Sequence, residues 1–176
     1  ILGIYFFKEK LFIKLFGTNL FYRLDRIFSW SNGSGLQLEN AKAAIGSAGL
    51  FGHGFNKTPI YFPESGTDFI FAVFASNFGL IGVLLLMSLI AYFDVSIIKL
   101  AQKKINDTDR YILVGIVAML LFQQIQNIGM TVGLLPITGI TLPFISYGGS
   151  SLLSYMIIVG ILINISFEKP RKYRYK

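Results

Sequence analysis

The 176-residue sequence contains no cysteine, one histidine and five prolines, and Asp, Glu, Lys and Arg together make up only 14% of it. Without cysteine, no disulfide, thiolate nucleophile or thiolate metal site is available. The single histidine, His53 in "GLFGHGF", has no acidic residue or second histidine beside it. That argues against a metal site or a catalytic triad built on it. From Tyr111 to Phe167 there is no charged residue and no histidine at all. Such a run is more than twice the ~20 residues with which one helix crosses a hydrocarbon layer of ~30 Å, so it must fold back. Pro136, Pro143 and the Gly148-Gly149 pair lie in its middle, where a turn between two helices is expected.

What is present is apolar and aromatic: 53% hydrophobic residues, with 17 Phe and 9 Tyr. This composition belongs to an integral membrane protein, because a soluble domain of this size needs polar residues spread along the chain to cover its surface. The net charge of +7 raises the question of nucleic acid. The basic residues lie at the ends of apolar runs, which is the membrane pattern, and no basic and aromatic nucleic-acid motif is present, so no nucleic-acid partner is expected. The opening "ILGIYFF" gives too few apolar residues before Lys8 to span. The chain is therefore expected to begin inside a helix and to be a fragment, and no signal-peptide pattern is visible.

These patterns predict an all-α, polytopic bundle of transmembrane helices forming a single membrane domain. Residues 1–20 read as the end of a truncated helix and a juxtamembrane stretch carrying Lys8, Lys10 and Lys14. Residues 21–67 form a polar, glycine-rich loop. Its core, "AKAAIGSAGLFGHGF", is too short to span and reads as a re-entrant or interface-lying element. Spans are expected at 69–98, 111–132 and 151–167. The first is charge-free from Phe69 to Phe93, about 37 Å at helical rise. The loop at 99–110, with Lys99, Lys103, Lys104 and Arg110, and the tail at 168–176, "EKPRKYRYK", are both basic and are expected in the cytoplasm. The loops at 21–67 and 133–150 then face outward together, and Asp68 sits at the outer surface.

Asp68 stands at the mouth of the first span in "PESGTDFIFAVF" and has two readings. A carboxylate there meets the helix dipole and unpaired amides favourably, as a helix-start device. Alternatively it is a general base positioned to take a proton from an attacking hydroxyl. Glu64 either couples to it or is a solvated loop acid. The loop "GLLPITGITLPFISYGGSS" brings irregular backbone and the hydroxyls of Thr138, Thr141, Ser146, Tyr147, Ser150 and Ser151 to membrane depth. Such backbone is tolerated where it is buried in protein or lines a watery cavity, and a cavity lining is expected here. Gln123, Asn127 and Thr131 recur every four residues on one helix face and, with Asn77, are expected to bond to neighbouring helices rather than to a substrate. Arg23, Arg26, Lys42 and Lys57 either hold an anionic lipid phosphate or pair with residues such as Asp25 and Glu39.

Three ordered motifs, "AIGSAGLFGHGF", "PESGTDFIFAVF" and "NIGMTVGLLPITGITLPFISYGGSSLL", closely resemble the carboxy-terminal part of the SEDS proteins (shape, elongation, division and sporulation), the RodA, FtsW and SpoVE group. The resemblance runs from Tyr22 to the end, and "GLLPITGI" and the phenylalanine of "LPFISYGG" lean toward RodA. It implies the last three to four helices of a ten-helix bundle in the bacterial cytoplasmic membrane. It also implies a glycosyltransferase that polymerises lipid II into glycan strands beside a class B penicillin-binding protein. The acid of the "TDFIF" motif, here Asp68, is the one the family relies on. A GlcNAc hydroxyl activated by Asp68 would attack the anomeric carbon of the growing chain and expel undecaprenyl pyrophosphate. Arg26 and Lys57, or a divalent cation such as magnesium or manganese, would stabilise the leaving group. Glu64, Thr67, Ser146, Tyr147, Gly148, Gly149 and Ser150 complete the expected substrate contacts. The sequence departs from the family pattern at Ser76 and Asn77, where paired acids are usual, and at Gly66, where a histidine is common. The implied partners are lipid II, the penicillin-binding protein and membrane lipid, and the fragment alone is expected to be inactive. Two other classes stay open: a lipid II transporter, which should carry polar or ionisable groups at mid-membrane, and a non-catalytic scaffold that activates the penicillin-binding protein. Because the polar groups read inside the spans are amides and the charges lie at one mouth, surface chemistry is preferred over transport.

Overall fold

A computed structural model of the protein describes residues 36–60, 65–104 and 106–167. Expectations for residues 1–20, for Arg23, Asp25, Arg26 and Glu64, and for the tail at 168–176 fall outside them. All regular structure among the described residues is helical: α1 (Leu36–Ser47), α2 (Ile70–Lys103), α3 (Asp107–Val132) and α4 (Gly149–Phe167). The last three are long and apolar enough to cross a membrane. The chain is thus a multi-pass membrane protein.

Helix α1 is about 18 Å long, too short to cross. It buries Leu38, Ala41 and Ala44, and the two alanines pack with Phe69 and Ala72 of the α2 start. Small side chains on that face let the two backbones come close, which is how helices associate where lipid supplies no hydrophobic drive.

The first expected span is not one continuous helix. Gly79 (φ 64°, ψ −165°) breaks α2, dividing it into a short upper piece and a long lower one. The residues after α1 fill the gap. His53 and Gly54 donate their amides to the Ser76 and Asn77 carbonyls (2.9 and 3.0 Å), and Leu80 and Ile81 donate theirs to the carbonyls of Gly49 and Leu50 (3.0 and 3.2 Å). A broken helix in a membrane leaves backbone groups that lipid cannot satisfy. Here a second irregular segment satisfies them, and both segments escape the penalty. Side chains reinforce the seam: Thr58 donates to Asn77 Oδ1 (2.8 Å), and His53 Nδ1 lies 3.1 Å from the Ser76 carbonyl. His53 and Asn77 therefore join the loop to α2, where the sequence suggested no neighbour for the first and a helix neighbour for the second.

Helix α3 begins at Asn106, whose side chain accepts from the Thr108 amide (3.2 Å), and places Asp107 and Asp109 in its first turn, where acids favour the helix dipole. It ends at Gly133 in the left-handed conformation. The lower core joins Ile97 and Ala101 of α2, Leu113, Val117 and Leu120 of α3, and Tyr155, Leu162 and Ile165 of α4. Lys104, just past α2, donates its ammonium to the Ile165 carbonyl in the last turn of α4.

Candidate functional site at the start of the first span

The turn 65–69 carries Asp68 into α2. Asp68 is not the cap of that helix. Phe69 holds the cap position, with no side-chain cap bond, and is itself almost wholly buried. Asp68 is half-buried one residue before it.

Three successive carbonyls fix this turn. Gly66 accepts from the Tyr147 amide (2.9 Å), Thr67 from the Ser146 hydroxyl (2.7 Å), and Asp68 from the Asn127 side-chain amide (2.8 Å). The same Asn127 amide also donates to the Ile140 carbonyl (2.7 Å). Ser146 in turn accepts from the Leu142 amide (2.8 Å). Asn127 is fully buried, and its Oδ1 has no hydrogen-bond partner among the described residues. Two carbonyls facing one amide group fix its orientation, because the reverse orientation would set oxygen against oxygen.

Side chains of α3 hold the 133–148 segment at two of its carbonyls. Besides Asn127, Gln126 donates to the Pro136 carbonyl (3.0 Å). Gln123 accepts from the Tyr155 hydroxyl (3.1 Å), which lies 3.5 Å from the Thr141 hydroxyl. Gln123 and Asn127 thus bond to other segments, as expected, while Thr131 turns back onto the Asn127 carbonyl of its own helix (2.6 Å). Leu142 is fully buried in a cluster with Phe71 and Leu86. Phe144, at φ 64°, sets its ring edge-on to Phe93, centroids 5.6 Å apart. Most of this loop is half-buried: Leu142 and Pro143 are enclosed, while Leu134, Thr138, Phe144 and Tyr147 are exposed.

Of the expected site residues, Asp68, Thr67, Ser146 and Tyr147 are brought together here. The Tyr147 ring is 82% exposed beside Gly66. Gly148, Gly149 and Ser150 follow directly as the start of α4, with Gly149 and Ser150 exposed. Lys57 is exposed on the loop beyond the seam. No group of three or more His, Cys, Asp or Glu side chains is gathered among the described residues. The donor set among the described residues does not by itself fit a divalent cation.

Sequence reasoning missed Asp94. It lies inside α2, is 4% exposed, and accepts from the Gln124 side chain of α3 (3.3 Å). The spans therefore hold a buried acid as well as amides. The signal was available: a lone acid between Phe93 and Val95, facing a glutamine-rich neighbour. Replacing Asn127 by Leu should destabilise the fold by about 1–3 kcal/mol, because two carbonyls lose a buried donor. Thermal unfolding in detergent checks this, and turnover should fall along with stability.

Residues 4–171 match the FtsW/RodA/SpoVE family, described as cell cycle proteins. The chain is 43% identical over 159 residues to a probable peptidoglycan glycosyltransferase FtsW of Coxiella burnetii, covering 84% of this chain and 43% of the relative. It is 41% identical over 154 residues to the stage V sporulation protein E of Bacillus subtilis, covering 82% and 42% respectively. The chain thus spans less than half the length of these curated relatives. A chain from a solved structure, described under "Structural coordination of polymerization and crosslinking by a peptidoglycan synthase complex", superposes with a TM-score of 0.69 at 28% identity. That match covers 96% of this chain and 50% of the other. These relatives bear FtsW and sporulation names, so the lean toward RodA gains no support from them.

Proposed function

Since this chain belongs to the FtsW/RodA/SpoVE family, we propose that it forms the carboxy-terminal part of a peptidoglycan glycosyltransferase that polymerises lipid II in the bacterial cytoplasmic membrane. The observation that carries this reading is the triple tether of Gly66, Thr67 and Asp68 to Tyr147, Ser146 and Asn127. It fixes the backbone of the acid at the start of the span, beside an exposed aromatic residue and a run of small residues. A base must be held within reach of the proton it takes, and a rigid backbone is the first requirement.

In this reading Asp68 takes the proton of a GlcNAc hydroxyl as its oxygen attacks the anomeric carbon of the growing chain. The bond to undecaprenyl pyrophosphate breaks, and the pyrophosphate leaves with the bonding electrons. Thr67 and residues 146–150 border the sugar-binding space, and Lys57, Arg26 and Glu64 complete the expected set. The loops at 21–67 and 133–150 face outward, and the basic segments at 99–110 and 168–176 face the cytoplasm. A class B penicillin-binding protein is the partner that cross-links the strands. The likeness to a peptidoglycan synthase complex supports that pairing.

The test is direct. The complete protein carrying these residues, purified with its partner and given lipid II, should yield glycan strands and undecaprenyl pyrophosphate. Translocation of lipid II across proteoliposomes without strand formation would instead favour transport, the reading for which Asp94 inside α2 is the one supporting feature.

A further inference from the structure

The lower halves of α2 and α4 diverge around a groove of about 530 Å³ that lies far along α2 from Asp68. Its floor is Ile97 and Leu162, both part of the lower core, and its walls include Phe93, Leu100 and Val159. The α2 wall runs from Tyr92 to Lys103, about 16 Å at helical rise. Charge appears at one end only. Lys99 and Lys103, one helical turn apart and both exposed, edge the groove toward the end of α2. Their neighbour Lys104 is already engaged with the Ile165 carbonyl, whereas the stems of Lys99 and Lys103 lie along the apolar wall with their ammonium groups free to reach the membrane surface.

We propose that this groove holds one anionic phospholipid, its phosphate between Lys99 and Lys103 and an acyl chain along Phe93, Ile97 and Leu162. A phospholipid carries a phosphate directly above an apolar chain, which matches a groove that is apolar along its length and cationic at one end. Lysines at a membrane surface each strengthen the attraction of anionic lipid by roughly fivefold in affinity.

Native mass spectrometry tests the proposal on the complete protein released from nanodiscs holding equal phosphatidylglycerol and phosphatidylcholine. The wild type should retain one phosphatidylglycerol in preference to phosphatidylcholine. Lys99→Gln should weaken that preference about fivefold, and the double change with Lys103→Gln should abolish it. Val159→Trp, which fills the groove and leaves both lysines, should also release the lipid. Thermal unfolding shows whether each variant is folded, and Lys99→Gln alone, at an exposed position, keeps the test available if Val159→Trp is not. Equal retention of the two lipids, or a preference unchanged in the double lysine variant, overturns the proposal. So does a crosslink from Ser96→Cys to a protein segment seated in the groove. Polymerisation of lipid II plays no part in these readouts, so their failure leaves the catalytic reading intact.

Discussion

Replacing Asp68 by Asn is expected to slow glycan polymerisation by roughly 100- to 10,000-fold, the range over which a positioned general base contributes. Asparagine has the same shape and keeps the backbone carbonyl that accepts from Asn127 at 2.8 Å, so the turn should stand. What it loses is the ability to take a proton. The alternative role predicts a different result. A helix-start acid acting on the dipole is worth about 0.3–1 kcal/mol, and its loss would lower stability slightly with turnover nearly intact. The measurement is strand formation from lipid II by the complete protein with its partner, at matched abundance, alongside partner binding. Asp68→Glu, with the carboxylate displaced by one methylene, should recover part of the rate if proton transfer is the role.

The second large effect is structural. Gly79→Ala should destabilise the fold by more than about 3 kcal/mol, combining backbone strain with overpacking. At φ 64° and ψ −165° Gly79 occupies a region that only glycine adopts readily. A methyl group there would overlap the Gly52 amide nitrogen and the Leu50 carbonyl. These are backbone atoms held in the seam, and they cannot rotate away as a side chain would. The relation is mutual, since a methyl group on Gly52 would overlap the Asn77 carbonyl. Loss of the monodisperse, detergent-solubilised protein is the expected readout. Gly160→Ala in α4 is the control: nothing lies within 4 Å of the added carbon, and the change should be neutral or stabilise by about 0.5–1 kcal/mol.

The membrane class and the three long helices were legible because long charge-free runs admit few alternatives. The polar face of α3 was legible for a similar reason: amides recurring every fourth residue in an apolar helix need partners, and Gln123 and Asn127 have them. The break in α2 was not legible. Gly79 sits among apolar residues in a run with helical character throughout, and glycine is common in membrane helices. Nothing local signals that a segment ending at Gly54 will insert its backbone there. Only the pairing of two distant glycines encodes it, and pairing is invisible in one sequence. At the site, Asp68 stood out by type and place, but two readings survived. The tethering of its turn was not legible, because the donors come from positions 127, 146 and 147, far along the chain. Asp94 was passed over because the first span was judged by its charge-free part, which stops at Phe93.

The seam between the loop and α2 also bears on how the chain enters the membrane as it is made. Gly49, Leu50, His53 and Gly54 leave the ribosome before Ser76, Asn77, Leu80 and Ile81, the residues that will complete their hydrogen bonds. Until the later group emerges, the earlier one has no protein partner, and lipid offers none. The segment that follows α1 is therefore expected to stay within reach of water at the bilayer surface. The upper piece of α2 faces the same constraint from the other side, since its open carbonyls cannot settle in hydrocarbon alone. The two segments are expected to settle into the membrane together, and the turn carrying Asp68 with them.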